Sequence, residues 1–283
     1  SPGQKLQDGR YEAVCRLGVG GQGAAYLARE QTLLDADHCP EVVLKETILP
    51  VFVDDAIRKQ SLQRFEHEAK MLESLDHPHI VKMLDFFVED HRGYLVLEHI
   101  EGSNLRVITE RERLSPEQIK ELIEKMCRLL AYLHDREVLH RDFTPDNLIL
   151  TKNGDLKLID FNVAQVVKSG MTGTVVGKHA YLPPEQFRGK PTVQSDIYAM
   201  GCTIYFLLTG VDPEPLSQSS LKHDRPEVDI IFDTIIKSCT ATKADHRFKS
   251  VNEILVFLEE PEEASVEENL TINLSSKKEL NST

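Results

Sequence analysis

Apolar positions along this chain recur first with the period of strands and later with the period of helices. Short apolar runs at Tyr11–Arg16, Ala24–Arg29 and Glu41–Thr47 predict strands, and glycines separate the first two. Leu62, Phe65, Ala69, Leu72 and Leu75 then fall at spacings of three and four, which predicts a helix over Ser61–Ser74. Strands are predicted again at Ile80–Phe87 and Tyr94–Glu98. Beyond Gly102 the pattern turns mostly helical. Ser115 before Pro116 is a good N-cap and first-turn pair, opening a periodic run to about His134. Leu148–Leu150 and Leu156–Ile159 flank Asn153-Gly154-Asp155, a hairpin signal. Further helices are expected at Ser195–Leu208, Asp229–Cys239 and Val251–Leu258. No internal repeat is visible. The order is a strand-rich piece with one helix, a connector, and a helix-rich piece.

Composition narrows the classes. With 41% hydrophobic and 28% charged residues, the 283-residue chain has the make-up of a globular protein. Its net charge is −13, of which −5 falls in Glu259–Thr283 and −8 in residues 1–258. That excludes a bulk basic surface, and no nucleic-acid partner is expected. The longest nearly apolar stretch, Ile197–Leu208, is twelve residues interrupted by Gly201 and Thr203. A membrane span needs roughly 20, so none is expected in this chain. The five cysteines are odd in number, scattered and without a C-x-x-C pair, which fits a reducing compartment. The expected location is the cytoplasm, or the cytosolic part of a longer, multidomain or membrane-anchored protein.

Three segments carry chemistry. Leu17-Gly18-Val19-Gly20-Gly21-Gln22-Gly23 lies between the first two predicted strands. A dinucleotide fold would follow such glycines with a helix; a strand here favours a glycine hairpin laid over phosphates. Read alone, the same pattern also suits a plain surface hairpin. Val42-Val43-Leu44-Lys45 then ends a strand on an ammonium, which could hold phosphates if a carboxylate fixed it. Glu66 and Glu68 on the next helix are the candidates. The decisive segment is His140-Arg141-Asp142-Phe143-Thr144-Pro145-Asp146-Asn147, followed by Asp160-Phe161-Asn162.

In this order the segments resemble the eukaryotic-type (Hanks-type) protein kinase catalytic domain, with wording similar to bacterial serine/threonine kinases. The motifs cover about Leu17 to Arg247. Pro183-Pro184-Glu185 stands for the family's Ala-Pro-Glu, and Tyr198 stands where eukaryotic members usually carry tryptophan. The resemblance implies an α+β, bilobal fold: a small antiparallel β lobe with one helix, and a larger, mainly helical lobe. It places a tag or N-terminal extension at 1–9, the ATP-binding lobe at 10–97 and the hinge at 98–104. The catalytic lobe follows at 105–258, then an acidic tail or linker at 259–283, with ATP in the cleft between lobes.

The implied activity is transfer of the γ-phosphate of ATP to a protein hydroxyl, and self-phosphorylation is expected. Asp142 would orient that hydroxyl and take its proton. Asn147 and Asp160 would ligate Mg²⁺, with Mn²⁺ the other admissible ion. Lys45 would contact the phosphates, paired with Glu68, which lies nine residues before His77-Pro78 as the family requires. The nucleotide set is Leu17, Gly18, Gly20 and Gly23 in the loop, with Ala25 and Val43 above the base and Ile149 below it. Backbone groups of Glu98 and Ile100 complete it. Glu185 and Arg247 match the family's buried ion pair.

Departures from the family open alternatives. Thr144 stands where the family has a lysine that neutralises the transferred phosphate. Weak turnover, a pseudokinase or a nucleotide-binding scaffold, is the alternative reading. Yet Gly177-Lys178 replaces the family's Gly-Thr, so a spatial swap is expected: Lys178 brings the cation and Thr144 the hydroxyl. Asn162 replaces a glycine but tolerates positive φ. Arg141 beside Asp142 implies a phosphate-ordered activation loop, with Thr172 and Thr174 as candidate phosphosites. A small-molecule kinase of related fold is disfavoured by the span from Asp160 to Glu185, followed by Asp196 and Arg247.

Overall fold

The computed structural model describes residues 2–20, 23–31, 39–50, 54–161, 179–221 and 230–259. The chain forms two compact units, one within Ser1–Asn104 and Asn147–Gln165, the other within Leu105–Asp146 and Val166–Thr283.

In the first unit, β1 (Lys5–Leu6), β2 (Tyr11–Gly20), β3 (Gly23–Glu30), β4 (Glu41–Ile48), β5 (Met83–Glu89) and β6 (Arg92–Glu98) form one antiparallel sheet. Its order is β1-β2-β3-β4-β6-β5. The alternation in β4 is the strand period at work: Val42, Leu44 and Glu46 are buried while Val43 and Lys45 lie half-buried on the other face. The sheet curls. Tyr11 of β2 stacks on Phe87 of β5 at 5.8 Å, and Phe87 on Tyr94 at 5.0 Å, although β2 and β5 are not ladder neighbours. Arg10 reaches Asp85 at 2.6 Å across the same gap.

Helix α1 (Asp55–Glu73) packs Phe65 against this sheet; a Cβ on Gly93 would stand 2.6 Å from the Phe65 ring, so only glycine fits beneath it. The helix starts six residues ahead of the periodic run at Ser61 because Asp54 caps it, accepting from the Ala56 amide at 2.7 Å. Its first turns are exposed and carry no apolar period. Predicted strand Ile80–Phe87 begins instead at Met83. Ile80 bridges Leu158, and the Val81 amide donates to the Leu158 carbonyl at 3.0 Å.

Two findings differ from the domain boundaries read in sequence. Residues 1–9, read as a tag or extension, include β1: Leu6 pairs with Tyr11, is 4% exposed and joins the sheet's core. A two-residue strand has no period to detect. The second finding is a three-stranded sheet, β7 (Gly102–Asn104), β8 (Leu148–Thr151) and β9 (Leu156–Leu158), which belongs to the first unit. Residues 147–158 therefore leave the span 105–258 assigned to the large lobe.

The second unit is helical: α2 (Leu105–Arg111), α3 (Pro116–His134) and the segments Pro184–Phe187, Val193–Thr209, Ile230–Cys239 and Val251–Glu259. Ser115 caps α3 through a reciprocal box with Gln118. The helix Val193–Thr209 is apolar on all sides and buried accordingly. Gly201 lets it approach Ile230–Cys239 closely, since a Cβ there would stand 2.4 Å from the Cys239 Cβ. Gly210 ends it in the left-handed region at φ 73°. Among the described residues no helix is long and apolar enough to cross a membrane.

Candidate active site

Almost all candidate nucleotide and metal residues belong to the first unit. The glycine segment is a hairpin: Gly18 pairs with Ala25, Val19 with Ala24 and Gly20 with Gly23. Leu17 is 52% exposed. Gly23 is required by packing, because a Cβ there would lie 1.7 Å from the Glu46 carbonyl oxygen. Ala25 pairs with Lys45 across β3 and β4, so both side chains and Val43 share one half-buried face. At the end of β6, the Glu98 amide donates to the Lys82 carbonyl at 2.9 Å. The Glu98 carboxylate accepts from the Lys82 amide at 2.9 Å and pairs with Lys157 at 2.8 Å. Ile100 and Ile149 are half-buried, the latter on β8 opposite Asn104.

Lys45 makes its ion pair with Asp160 rather than with Glu68. This corrects the expected Lys45–Glu68 pairing. Glu68 is nonetheless near: burial pushes its carboxyl up, Lys45 pulls it down and Asp160 pushes it up again. Asp160, at φ +64°, presents a half-exposed carboxylate to the ammonium. Phe161, next in the chain, is 1% exposed and anchors the turn. Asn147 ends the 3₁₀ turn Pro145–Asn147, and its carbonyl accepts from the Ile159 amide at 2.9 Å, which ties its segment to the one that carries Asp160.

The donor chemistry suits Mg²⁺: one carboxylate and one side-chain amide, both hard oxygens. Among the described residues no group of three or more His, Cys, Asp or Glu forms a self-sufficient metal cage. A site with two protein ligands leaves room for phosphate oxygens and water, which is how Mg²⁺ is usually held.

Asp142 and Thr144 belong to the second unit. Their segment hangs on Asp196, which is completely buried and accepts from the His140 amide at 3.0 Å, the Arg141 amide at 2.8 Å and His134 Nε2 at 3.0 Å. Arg141 takes φ +66°, a conformation those bonds hold in place. The Phe143 carbonyl accepts from Thr203 at 3.0 Å. Thr144 is 1% exposed, and among the described residues its hydroxyl has no hydrogen-bond partner. Glu185 and Arg247 form the expected ion pair at 2.6 Å. Lys178, Asn162, Thr172 and Thr174 lie outside the described residues.

Sequence reasoning did not single out Arg106, Asp146, Tyr181 or Asp212, which the fold brings together from four separate segments. No short motif joins them.

The protein kinase domain family matches residues 11–274. This chain is a protein kinase domain. It is 34% identical over 268 residues to the serine/threonine-protein kinase PrkC of Bacillus subtilis, covering 88% of this chain and 40% of that protein. It is 37% identical over 215 residues to a probable serine/threonine-protein kinase PknB of Corynebacterium glutamicum, covering 72% of this chain and 32% of that one. The chain thus spans well under half the length of these relatives. The kinase domain of Mycobacterium tuberculosis PknI shares the fold, with a TM-score of 0.70 at 24% identity, over 91% of this chain and 98% of that one. The bilobal kinase fold expected from the motifs is the one the chain adopts.

Proposed function

We propose that this kinase domain transfers the γ-phosphate of ATP to serine or threonine hydroxyls of proteins, itself included. The observation that carries the reading is the joining of Lys45, Asp160 and Glu68 in the unit that also holds the glycine hairpin. An ammonium, a metal-competent carboxylate and a further carboxyl beside them are the parts a nucleotide phosphate site needs.

In this reading Leu17, Gly18, Gly20 and Gly23 cover the phosphates and Ala25, Val43 and Ile149 enclose the base. Glu98 and Ile100 present backbone groups to its edge. Lys45 orients the phosphate chain, while Asn147 and Asp160 hold Mg²⁺. Bound Mg²⁺ supplies charge neutralisation on the phosphate oxygens. Asp142 orients the acceptor hydroxyl and takes its proton on a carboxylate oxygen as the new O–P bond forms and the γ-phosphorus parts from the bridging oxygen, which leaves with ADP. Catalysis on this account is positioning and electrostatics, which suits a loose phosphoryl transition state.

Thr144 leaves the catalytic segment without its usual cation. We propose that Lys178 supplies it, and that the buried Thr144 hydroxyl is the group this exchange engages. Thr172 and Thr174 are the proposed sites of self-phosphorylation, read by Arg141.

The test is a peptide-phosphorylation assay with Mg-ATP, followed by phosphosite mapping. Asp142→Asn is expected to abolish transfer. Lys178→Ala is expected to reduce turnover by about 10²-fold or more, as loss of a transition-state charge contact does. Undiminished turnover in Lys178→Ala sinks the exchange, and absence of phosphate from residues 169–174 sinks the self-phosphorylation sites. Transfer that survives Asp142→Asn sinks the kinase mechanism itself.

A further inference from the structure

Arg106 is the second residue of α2, and its guanidinium is the hub of a four-residue cluster inside the second unit. Nε donates to both Asp146 oxygens at 3.1 and 3.0 Å. Nη2 donates to Asp212 at 2.9 Å and to the Tyr181 hydroxyl at 3.3 Å, while Nη1 reaches the second Asp212 oxygen at 3.4 Å. The Tyr181 hydroxyl in turn donates to Asp212 at 2.6 Å. The guanidinium lies over the Phe206 ring, 4.4 Å from its centroid. Burial opposes the charge on Arg106, but its hydrogen bonds to Asp212 and Asp146 more than offset it.

The partners matter by where they sit. Asp146 lies between Asp142 and Asn147, in the 3₁₀ turn that ends the catalytic segment. Tyr181 lies four residues before Glu185, at the end of the span from Asp160 to Glu185 that, on the kinase reading, forms the protein-substrate platform. Asp212 follows the Gly210 cap of the central helix. One planar cation with its donors fixed in a fork therefore sets the spacing of two segments that are 35 residues apart in sequence, Asp146 and Tyr181. Lysine could not, since an ammonium lacks the fork.

Resting on the kinase reading above, we infer that Arg106 is a positioning residue for phosphoryl transfer, holding the catalytic segment and the substrate platform in one register through Asp146, Tyr181 and Asp212. The cluster is suited to positioning more than to core stability: the Asp146 and Asp212 side chains are 39% and 36% exposed, so water can replace the lost bonds without unfolding the unit.

The experiment measures turnover with Mg-ATP and casein as acceptor, together with thermal melting and backbone hydrogen exchange. Arg106→Ala is expected to lower kcat at least tenfold, with KM for ATP changed less than twofold and melting nearly unchanged. Exchange should rise in residues 140–147 and 180–186. Arg106→Lys should recover only part of kcat. Asp146→Asn should lower kcat, and adding it to Arg106→Ala should cost little more, because both break the same tie. A kcat for Arg106→Ala within twofold of the parent overturns the inference, as does a loss that is fully additive with Asp146→Asn. A parent chain with no Asp142-dependent transfer overturns the kinase reading and this inference with it, whereas an active parent with an active Arg106→Ala overturns the inference alone.

Discussion

Arg247 shows how much one side chain can carry in this fold. It is completely enclosed, donates to both Glu185 oxygens at 2.6 and 3.1 Å and to the Ala241 carbonyl at 2.7 Å, and lies against the Tyr198 ring at 4.8 Å. Removing it strands a half-buried carboxylate. Arg247→Ala is expected to lower unfolding free energy by about 3–5 kcal/mol, measured by denaturant titration. Burial pushes the Glu185 carboxyl up, but bonds from Arg247, its own backbone amide and Ser195 prevail and hold it below its ordinary value of 4.5. A lowered folded value means the pair's stability is complete above 4.5 and is lost as pH falls through that lowered value. Melting temperature measured against pH should therefore drop on acidification in the parent, and Glu185→Gln should flatten that drop. An unchanged acid limb would argue against the pair as its source. At this scale the sequence was legible where residues are named by motif, as for the Glu185–Arg247 pair. It paired Lys45 with Glu68 where the fold pairs it with Asp160, because spacing along the chain does not measure the distance from Lys45 to a turn 115 residues later.

Among elements, those with a strong period or a cap were legible and those without were not. Helix α3 begins at Pro116 and ends at His134 as its N-cap and apolar stripe indicate. Strands β3 and β4 fall where alternation places them. Some short elements escaped: β1, β7, α2 and Pro184–Phe187 display no period, and their partners in space define them. β1 has the plainest consequence. Leu6→Ala removes a core side chain of the curled sheet, and a cost of about 2–5 kcal/mol is expected, read from the unfolding of the first unit. Deleting residues 1–9 should do at least as much harm. If either variant unfolds like the parent, β1 is ornamental.

For the molecule as a whole, the net charge of −13 makes the handling of a polyanion the central electrostatic problem. The proposed answer is local: Lys45, a divalent cation and Lys178, set in a chain that otherwise repels phosphate. Mg-ADP at a hundred times its Kd is expected to stabilise the parent by about 2.7 kcal/mol, seen as a rise in melting temperature. Lys45→Ala and Asp160→Ala should show much smaller rises at the same concentration. Equal rises in all three would mean that the nucleotide binds elsewhere or without these groups.

The sequence by itself determined the fold and the candidate chemistry, because both reside in residue type and order: a glycine hairpin, a lysine ending a strand, Asp142 with Asn147, and Asp160. These are local patterns, and local patterns survive in one dimension. Only the tertiary structure decided which groups meet. It made Lys5–Leu6 a strand of the sheet and gave β8 and β9 to the first unit. It paired Lys45 with Asp160 and gathered Arg106, Asp146, Tyr181 and Asp212 around one guanidinium. The physical reason is common to all four. Hydrogen bonds and ion pairs are set by distance and angle in space, and in each case the partners come from segments whose separation along the chain carries no trace of that distance.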